Sequence, residues 1–433
     1  MSFDLIFNII KILGALGLFI YGMKVMSEGI QKVAGNKLRS GLASMTNTRF
    51  GGVLTGFVTT SVIQSSSATT VMIVSFVNAG LLTLKQSIGV IMGANIGTTV
   101  TALIIVIFGF KFKITEFALP VLAIAIPLLF SKKDRFKYLG EFLVGFAILF
   151  IGLGALKDLV PNELPPETQA FIGSLGDYGF LSTILMVAVG TIVTIVVQSS
   201  SAAIAITLTL CSKGIIPFEM AAAIVLGENI GTTITANLAA IVGNTHAKRA
   251  ARAHLIFNMI GIVWMLIIFH PFLRLIDQIV INLGFGSPFL ETNAIKDGLT
   301  AFHMSFNIIN TLILIWFVDF IATGFSRMVP GCSDGDRVSK LKYLSSPIVK
   351  TPQLSLQEAK QELTQFGDVL KGLGKSGRKI LENEDPKKLN TYKAKISELE
   401  EVTDRFDEDV SEFIIKVASE EVSDSSSREV RNI

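Results

Sequence analysis

The chain has 433 residues, of which 50% are hydrophobic and 17% are charged, and its mean hydropathy is +0.58. This composition lies outside the range of soluble globular proteins and predicts a membrane protein that contacts the lipid bilayer. The net charge of +3 is too small to indicate a nucleic-acid partner. Cys211 and Cys332 lie far apart, so neither a disulfide framework nor a zinc site is indicated.

Charged residues are concentrated near the end of the chain. Residues 1–325 contain 20 Lys and Arg and 15 Asp and Glu, whereas residues 326–433 contain 18 and 20. This predicts a transmembrane domain over 1–325 and a soluble region after it. We divide the latter into a linker at 326–349, a helical region at 350–422 and a tail at 423–433 that we expect to be disordered.

The first elements are a span at 12–31 and a long uncharged run. Between Arg49 and Lys85 lie 35 uncharged residues, which as one helix would be about 52 Å long, against a bilayer core of about 30 Å. Gln64-Ser65-Ser66-Ser67 interrupts the run with side chains that compete for backbone hydrogen bonds. We therefore predict a re-entrant helical hairpin. The alternative is one tilted span whose serines pack against neighbouring helices.

A second motif follows each hairpin. Gly93-Ala94-Asn95-Ile96-Gly97-Thr98-Thr99 lies in an apolar segment at 86–110, and its two glycines predict a broken helix. Span, hairpin and broken helix together make a first repeat at about 12–110. A single span at about 115–130 comes next.

The same three parts then recur. A span at 139–160 precedes a second uncharged run of 35 residues between Asp177 and Lys213, which contains Gln198-Ser199-Ser200-Ser201. Gly227-Glu228-Asn229-Ile230-Gly231-Thr232-Thr233 lies within 217–243. Both motifs recur at an offset of 134 residues, which defines a second repeat at about 139–243. Extra helices are predicted at about 254–270 and 299–323.

Basic residues predict the orientation. Lys32, Lys37, Arg39 and Arg49 mark one loop, and similar clusters occur at 132–137 and 248–252, so we place these loops and the C-terminal region on the cytoplasmic side of the inner membrane. Because a single span links the repeats, their hairpins would enter from opposite faces. The fold class is an all-α membrane protein with inverted-topology repeats, a plan that recurs in secondary transporters. No Gly-x-x-x-x-Gly-Lys-Ser/Thr sequence for ATP binding occurs.

The hairpin turns are candidates for anion binding. A helix that begins at such a turn presents free N–H groups and a positive dipole end, and serine hydroxyls add donors. The candidate anion ligands are Ser65, Ser66, Ser67, Ser199, Ser200 and Ser201. Three adjacent serines can also simply pack helices together, but duplication at a fixed spacing favours binding.

Oxygen-bearing side chains nearby suit a hard cation such as sodium, or alternatively hold the helices together. They are Gln64, Asn95, Thr98, Thr99, Gln198, Asn229, Thr232 and Thr233. Glu228 replaces Ala94 of the first repeat, and it either binds a cation or a proton or is solvated near the interface. His254 and Asn258, like His303 and Asn307, lie four residues apart. We interpret both pairs as hydrogen-bonded packing elements, with a proton relay as the alternative.

The motifs Gln64-Ser65-Ser66-Ser67 and Gln198-Ser199-Ser200-Ser201 resemble the duplicated region of the type II sodium-dependent phosphate cotransporters. The C-terminal region, in which Asp385-Pro386 separates two helical patterns, is similar to part of a phosphate-uptake-regulator (PhoU-like) domain. The resemblance implies sodium-coupled import of inorganic phosphate by alternating access, with sodium as the coupling ion and no cofactor. We expect the C-terminal helices to pack on a partner or on a second copy of the chain.

Two alternative functions remain open. The first is a sodium-coupled carrier of another small anion, and the second is a membrane phosphate sensor without turnover. An enzyme is not favoured, because the duplicated serines do not lie in a Gly-x-Ser-x-Gly sequence and their pattern fits binding better.

Overall fold

The structure is a computed structural model that describes residues 3–44, 48–78, 81–111, 114–161, 165–176, 178–241, 243–328, 352–382 and 385–418. Within these ranges the chain is helical and contains no strand, which confirms the predicted all-α class. The predicted linker, the tail and Cys332 lie outside the described residues. The chain divides into two compact units. The first comprises Met1–Ile73, Lys85–Asn237 and Ala251–Ala322, and the second Val74–Leu84, Leu238–Ala250 and Thr323–Ile433.

The helices of the first repeat and the link to the second come first in the chain. They are α1 (Phe3–Ser44), α2 (Arg49–Ile63), α3 (Ser66–Asn78), α4 (Leu84–Ile104), which widens into a π-helix at Ile105–Lys111, and α5 (Ala118–Leu129), which follows a short 3₁₀ turn at Ile114–Phe117.

The second repeat and the helices that follow it complete the order. They are α6 (Asp134–Leu159), α7 (Pro166–Gly176), α8 (Phe180–Val197), α9 (Ser200–Ser212), α10 (Phe218–Gly231), α11 (Thr233–Ala240), α12 (Thr245–Ile267), α13 (Phe269–Asn282), α14 (Thr292–Leu314), a 3₁₀ turn at Ile315–Phe317, α15 (Val318–Met328), α16 (Pro352–Glu382) and α17 (Pro386–Ala418).

Six helical segments of the described chain are long and apolar enough to cross a membrane: Ile6–Ala34, Leu84–Lys111, Asp134–Leu159, Phe180–Val197, Thr245–Ile267 and Thr292–Gly324. The protein is therefore a multi-pass membrane protein. The helix α1 is longer than predicted and includes the positions of Lys32, Lys37 and Arg39, because Lys and Arg are good helix formers and no proline follows. The separate helix α13 was not predicted. Pro271 explains it, since its ring clashes with the carbonyl of Ile267, where α12 ends.

Glycines bring α1 and α6 into backbone contact. A side chain added at Gly22 would overlap the backbone of Leu149, one at Gly145 that of Met26, and one at Gly152 that of Phe19. As the residue number rises along α1, the number of its neighbour on α6 falls. The two helices are therefore antiparallel, with Phe19, Leu149, Phe150 and Leu153 in the core of the first unit.

Glycines also join α2 to α4 and α8 to α10, and the contacts are duplicated. Gly56 meets Val90, Gly93 meets Val53 and Gly97 meets Thr60; in the second repeat Gly190 meets Ile224, Gly227 meets Val187 and Gly231 meets Thr194. Each contact recurs 134 residues later. From the Gly56 contact to the Gly97 contact the residue numbers rise on both helices, and they rise likewise from the Gly190 contact to the Gly231 contact. Helix α4 therefore runs parallel to α2, and α10 runs parallel to α8.

The predicted break in the first copy is wrong. Helix α4 continues through Gly93-Ala94-Asn95-Ile96-Gly97-Thr98-Thr99, because Gly93 and Gly97 serve the close approach of α2 rather than unwinding the helix. In the second copy, α10 ends at Gly231 and α11 begins at Thr233, so the predicted break is a one-residue interruption at Thr232.

In the second unit, α16 packs on α17 through apolar side chains. The rings of Phe366 and Phe406 lie 5.7 Å apart, and Leu363 and Val369 pack on a cluster that includes Val402. Two helices separated near Pro386 agree with the predicted pattern. The likeness to a PhoU-like domain stays a prediction.

Candidate functional site

The turn between α2 and α3 and the turn between α8 and α9 each contain a glutamine in a left-handed conformation. Gln64 has φ 59° and ψ 26°, and Gln198 has φ 54° and ψ 24°. No other non-glycine residue in the described ranges has a positive φ. The Gln64 N–H donates to the Thr60 carbonyl at 2.7 Å, and the Gln198 N–H donates to that of Thr194 at 2.8 Å. Glycine is the usual residue at such a position, so a glutamine at both turns holds the backbone in a conformation that costs a non-glycine residue about 1–3 kcal/mol.

A serine caps the helix that follows each turn. The Ser65 hydroxyl accepts from the Ala68 N–H at 3.2 Å, and the Ser199 hydroxyl accepts from the Ala202 N–H at 3.2 Å. These are N-caps of α3 and α9, whose remaining first-turn N–H groups have no acceptor within the helix. Ser66, Ser200 and Ser201 are buried. The two turns thus share one construction.

One cavity of about 250 Å³ joins the two turns. All six predicted serines line it, together with Gln64 and Gln198. The cavity is smaller than the roughly 300–1,000 Å³ typical of pockets for drug-sized ligands, so it suits a small ion. A larger cavity of about 520 Å³ lies among Leu16, Leu156, Met186 and Met220. Because its walls are apolar apart from Thr209, we do not assign it to an ion.

Helix α1 supplies a third wall that was missed from the sequence. Lys24, Ser27, Glu28 and Gln31 line the cavity beside Ile20 and Met23. Their spacing of three and four residues places them on one face of a helix. This polar stripe is visible in the sequence and could have been found by testing the predicted span for helical periodicity.

The predicted sodium ligands fall into two groups. Gln64 and Gln198 line the cavity, whereas the Asn and Thr side chains of α4 and of the segment where α10 gives way to α11 are buried outside its described lining. The hydroxyls of Thr98, Thr99, Thr232 and Thr233 each donate to a carbonyl of the preceding turn, at 2.7–3.1 Å. Their oxygens keep lone pairs that can accept or coordinate.

Several buried polar atoms have no hydrogen-bond partner among the described residues. In and around the turns and the repeated Gly-x-Asn motif they include Thr60 Oγ1, Ser61 Oγ, Gln64 Oε1, Thr194 Oγ1 and Asn95 Nδ2. Thr60 packs on Gly97, and Thr194 on Gly231, so equivalent positions of both repeats are affected. Because an unsatisfied buried polar group costs about 1–3 kcal/mol, such groups mark places where a ligand or water is expected.

Glu228 is buried, with 2% of its surface exposed. Its Oε1 accepts a hydrogen bond from the Thr207 hydroxyl at 2.9 Å, and Oε2 has no partner in the described part of the chain. Burial argues against the alternative of a solvated carboxylate. A buried carboxyl is costly unless it is paired, so a cation or a proton is the expected partner.

The two His–Asn pairs are buried, but they do not hydrogen-bond as predicted. Asn307 Nδ2 donates to the His303 carbonyl at 3.0 Å rather than to the imidazole. The Nδ1 atoms of His254 and His303 and both polar atoms of the Asn258 side chain have no partner among the described residues. Asn307 instead bonds the backbone carbonyl four residues earlier in its own helix, an acceptor that competes with the imidazole.

Comparisons with known proteins identify several relatives of the chain. The Escherichia coli protein named "Putative inorganic phosphate export protein YjbB" is 27% identical over 386 residues, which is 87% of this chain and 66% of that protein. The Bacillus subtilis protein YqeW, described as uncharacterized, is 31% identical over 299 residues, 69% of this chain and 90% of its own. Human sodium-dependent phosphate transport protein 2B is 38% identical over 101 residues, 23% of this chain and 14% of its own.

The chain thus spans just under two thirds of the length of the YjbB protein. No solved structure matches the chain significantly. The Na+/Pi-cotransporter family model matches residues 18–158 and 180–292. That is more than half of the chain, so the protein belongs to the Na+/Pi-cotransporter family, which is a family of transporters.

Proposed function

We propose that this protein is a secondary active symporter that imports inorganic phosphate with sodium ions across the inner membrane by alternating access. The observation that carries the proposal is the single cavity lined by both serine turns. Two helix N-termini and six serine hydroxyls meet there, a set of donors that suits a small oxyanion. Phosphate is the anion that the family and the relatives' names indicate.

Inverted repeats and re-entrant hairpins belong to this proposal. Helices α1 and α6 begin equivalent parts of the two repeats, and their antiparallel packing supports opposite orientations. Helices α2 and α3 have 15 and 13 residues, or about 22 and 20 Å, less than the bilayer core. Because α4 is parallel to α2, the chain must return along α3 before α4 begins.

Sodium would bind where carbonyl and side-chain oxygens gather. We assign it to Gln64, Asn95, Thr98 and Thr99 in the first repeat and to Gln198, Asn229, Thr232 and Thr233 in the second. Glu228 is a further cation or proton site. The unpartnered Gln64 Oε1 supports this placement, since an oxygen without a donor is available to a hard cation.

The direction of transport depends on the gradients. A symporter is reversible, and an inward sodium gradient drives import, whereas the name of the YjbB protein says export. Export is therefore the second candidate. We place the C-terminal helices α16 and α17 on the cytoplasmic side, as the basic loops predict.

Uptake into proteoliposomes tests the proposal. We expect radiolabelled phosphate to accumulate under an inward sodium gradient and not when choline replaces sodium. Uptake that is the same in choline would refute sodium coupling. Vesicles preloaded with phosphate test export. An exporter that does not depend on sodium would release phosphate equally in sodium and in choline. Competition by sulfate and by dicarboxylates decides whether another anion is preferred.

A further inference from the structure

The α1 wall of the cavity introduces charge into an otherwise neutral site. Among the described residues that line it, Lys24 is the basic residue and Glu28 the acidic one. The other lining residues are serines, glutamines and apolar side chains. An anion in this cavity would therefore be attracted by Lys24 and repelled by Glu28.

The two charges face each other across one helical turn. Lys24 Nζ lies 3.9 Å from Glu28 Oε1, and the side chains are 68% and 52% exposed. Exposed pairs at this spacing stabilise a protein little. The pair is thus easily separated, and Lys24 can exchange its carboxylate partner for another anion.

Two other lysines of α1, Lys11 and Lys32, contact groups outside the cavity. Lys32 Nζ lies 2.8 Å from Glu141 Oε2 on α6, and Lys11 Nζ lies 4.4 Å from the centre of the Phe7 ring. Neither lines the cavity. Among the lysines of α1 whose side chains the structure describes, Lys24 is therefore the one placed to meet an anion between the serine turns.

We propose that Lys24 is a substrate-binding residue and that Glu28 is its internal competitor. In the empty cavity Glu28 pairs with Lys24. When a phosphate oxygen binds at the serine turns, Lys24 transfers its contact from Glu28 to the phosphate. This inference rests on the proposed function, because it assumes that the cavity binds a small oxyanion.

The test measures the KM for phosphate in sodium-driven proteoliposome uptake. We expect Lys24→Gln to raise KM by roughly tenfold, because a charge-assisted hydrogen bond is lost, and Lys24→Arg to raise it less. We expect Glu28→Gln to lower KM by roughly two- to fivefold, because the competing carboxylate is gone. A structural role for the pair would not make removal of one partner improve affinity. Lys32→Gln is the matched control on the same helix and should leave KM unchanged.

The outcomes separate the two levels of the proposal. Wild-type protein without sodium-dependent phosphate uptake would refute the proposed function. Normal wild-type uptake with an unchanged KM in Lys24→Gln, or with an unchanged or raised KM in Glu28→Gln, would overturn this inference alone. Phosphate-induced increases in the melting temperature of the purified variants should follow the inverse order of the KM values, because tighter binding stabilises the folded protein more.

Discussion

The Thr207 hydroxyl lies between two acceptors, 2.9 Å from Glu228 Oε1 and 3.0 Å from the Ala203 carbonyl oxygen. A hydroxyl carries one hydrogen, so it cannot donate fully to both. The equivalent positions of the first repeat, 134 residues earlier, are Ile73 and Ala94. The two halves of the site therefore differ in one buried polar pair, and only the second half can hold a charge or a proton there.

Replacing Glu228 by glutamine tests that difference. We expect Glu228→Gln to fold normally, because the amide keeps the shape and an acceptor oxygen for Thr207. We also expect the sodium concentration at half-maximal uptake to rise by roughly tenfold, because the charge that attracts a cation is lost. Glu219→Gln on the same helix is the control, since the side chain of Glu219 is half exposed. Unchanged sodium dependence in Glu228→Gln would exclude this residue as a cation site.

Replacing the glutamines of the two serine turns by glycine should raise the stability of the protein and abolish phosphate uptake. Gln64→Gly and Gln198→Gly relieve a left-handed backbone that costs about 1–3 kcal/mol in a non-glycine residue. We therefore expect a higher melting temperature of the purified protein and a loss of phosphate uptake. Gln64→Ala removes the same side chain but keeps the strain, so it should lose uptake without gaining stability. Full uptake in Gln64→Gly would show that the glutamine side chain is dispensable.

The duplicated glycine contacts predict a pair of folding defects. Gly93→Ala and Gly227→Ala each place a methyl group against the carbonyl of the facing helix. Overpacking of this kind costs about 1–3 kcal/mol, so we expect less folded protein in detergent, measured by size-exclusion chromatography. Gly17→Ala is the control, because nothing lies within 4 Å of the added methyl group. Equal yields of all three variants would argue against the close helix packing.

The sequence predicts the serine turns correctly but misinterprets the glycine motif of α4. The serine turns can be predicted from local sequence. An uncharged run that is too long for one span contains side chains that compete for backbone hydrogen bonds and so interrupt a helix. Gly93 and Gly97 were interpreted as breaks, although they allow α2 to approach α4. A glycine can either break a helix or allow another helix to pack closely. Which of the two it does depends on the tertiary structure, which the local sequence does not reveal.

The charged residues at the N-termini of α4 and α10 show a further limit of comparing the two repeats by sequence. Lys85 lies 2.8 Å from Asp319, and the equivalent Glu219 lies 3.8 Å from His270. The two partners are 49 residues apart, the same offset that relates His254 to His303. Both repeats thus place an acidic side chain beside a basic one at the same point, with the two residue types exchanged. Sequence comparison that seeks identical residues cannot detect it, because the chemistry is inverted.

The last prediction compares the two asparagines of the repeated motif. Asn229 Nδ2 donates to the Val225 carbonyl at 3.0 Å, whereas Asn95 Nδ2 has no partner among the described residues. Asn229→Ala should therefore lower the free energy of unfolding by about 1 kcal/mol more than Asn95→Ala.

If Asn95 is kept for ion binding rather than for packing, Asn95→Ala should chiefly raise the sodium concentration needed for half-maximal uptake. Ser66→Ala is the matched comparison, and it should raise the KM for phosphate instead, because it removes a donor at the anion turn. Thermal unfolding and uptake at varied sodium and phosphate separate these effects. Equal losses of stability in Asn95→Ala and Asn229→Ala, with sodium dependence unchanged in both, would assign the two asparagines to packing, since a structural residue alters the amount of folded protein and not its affinity for an ion.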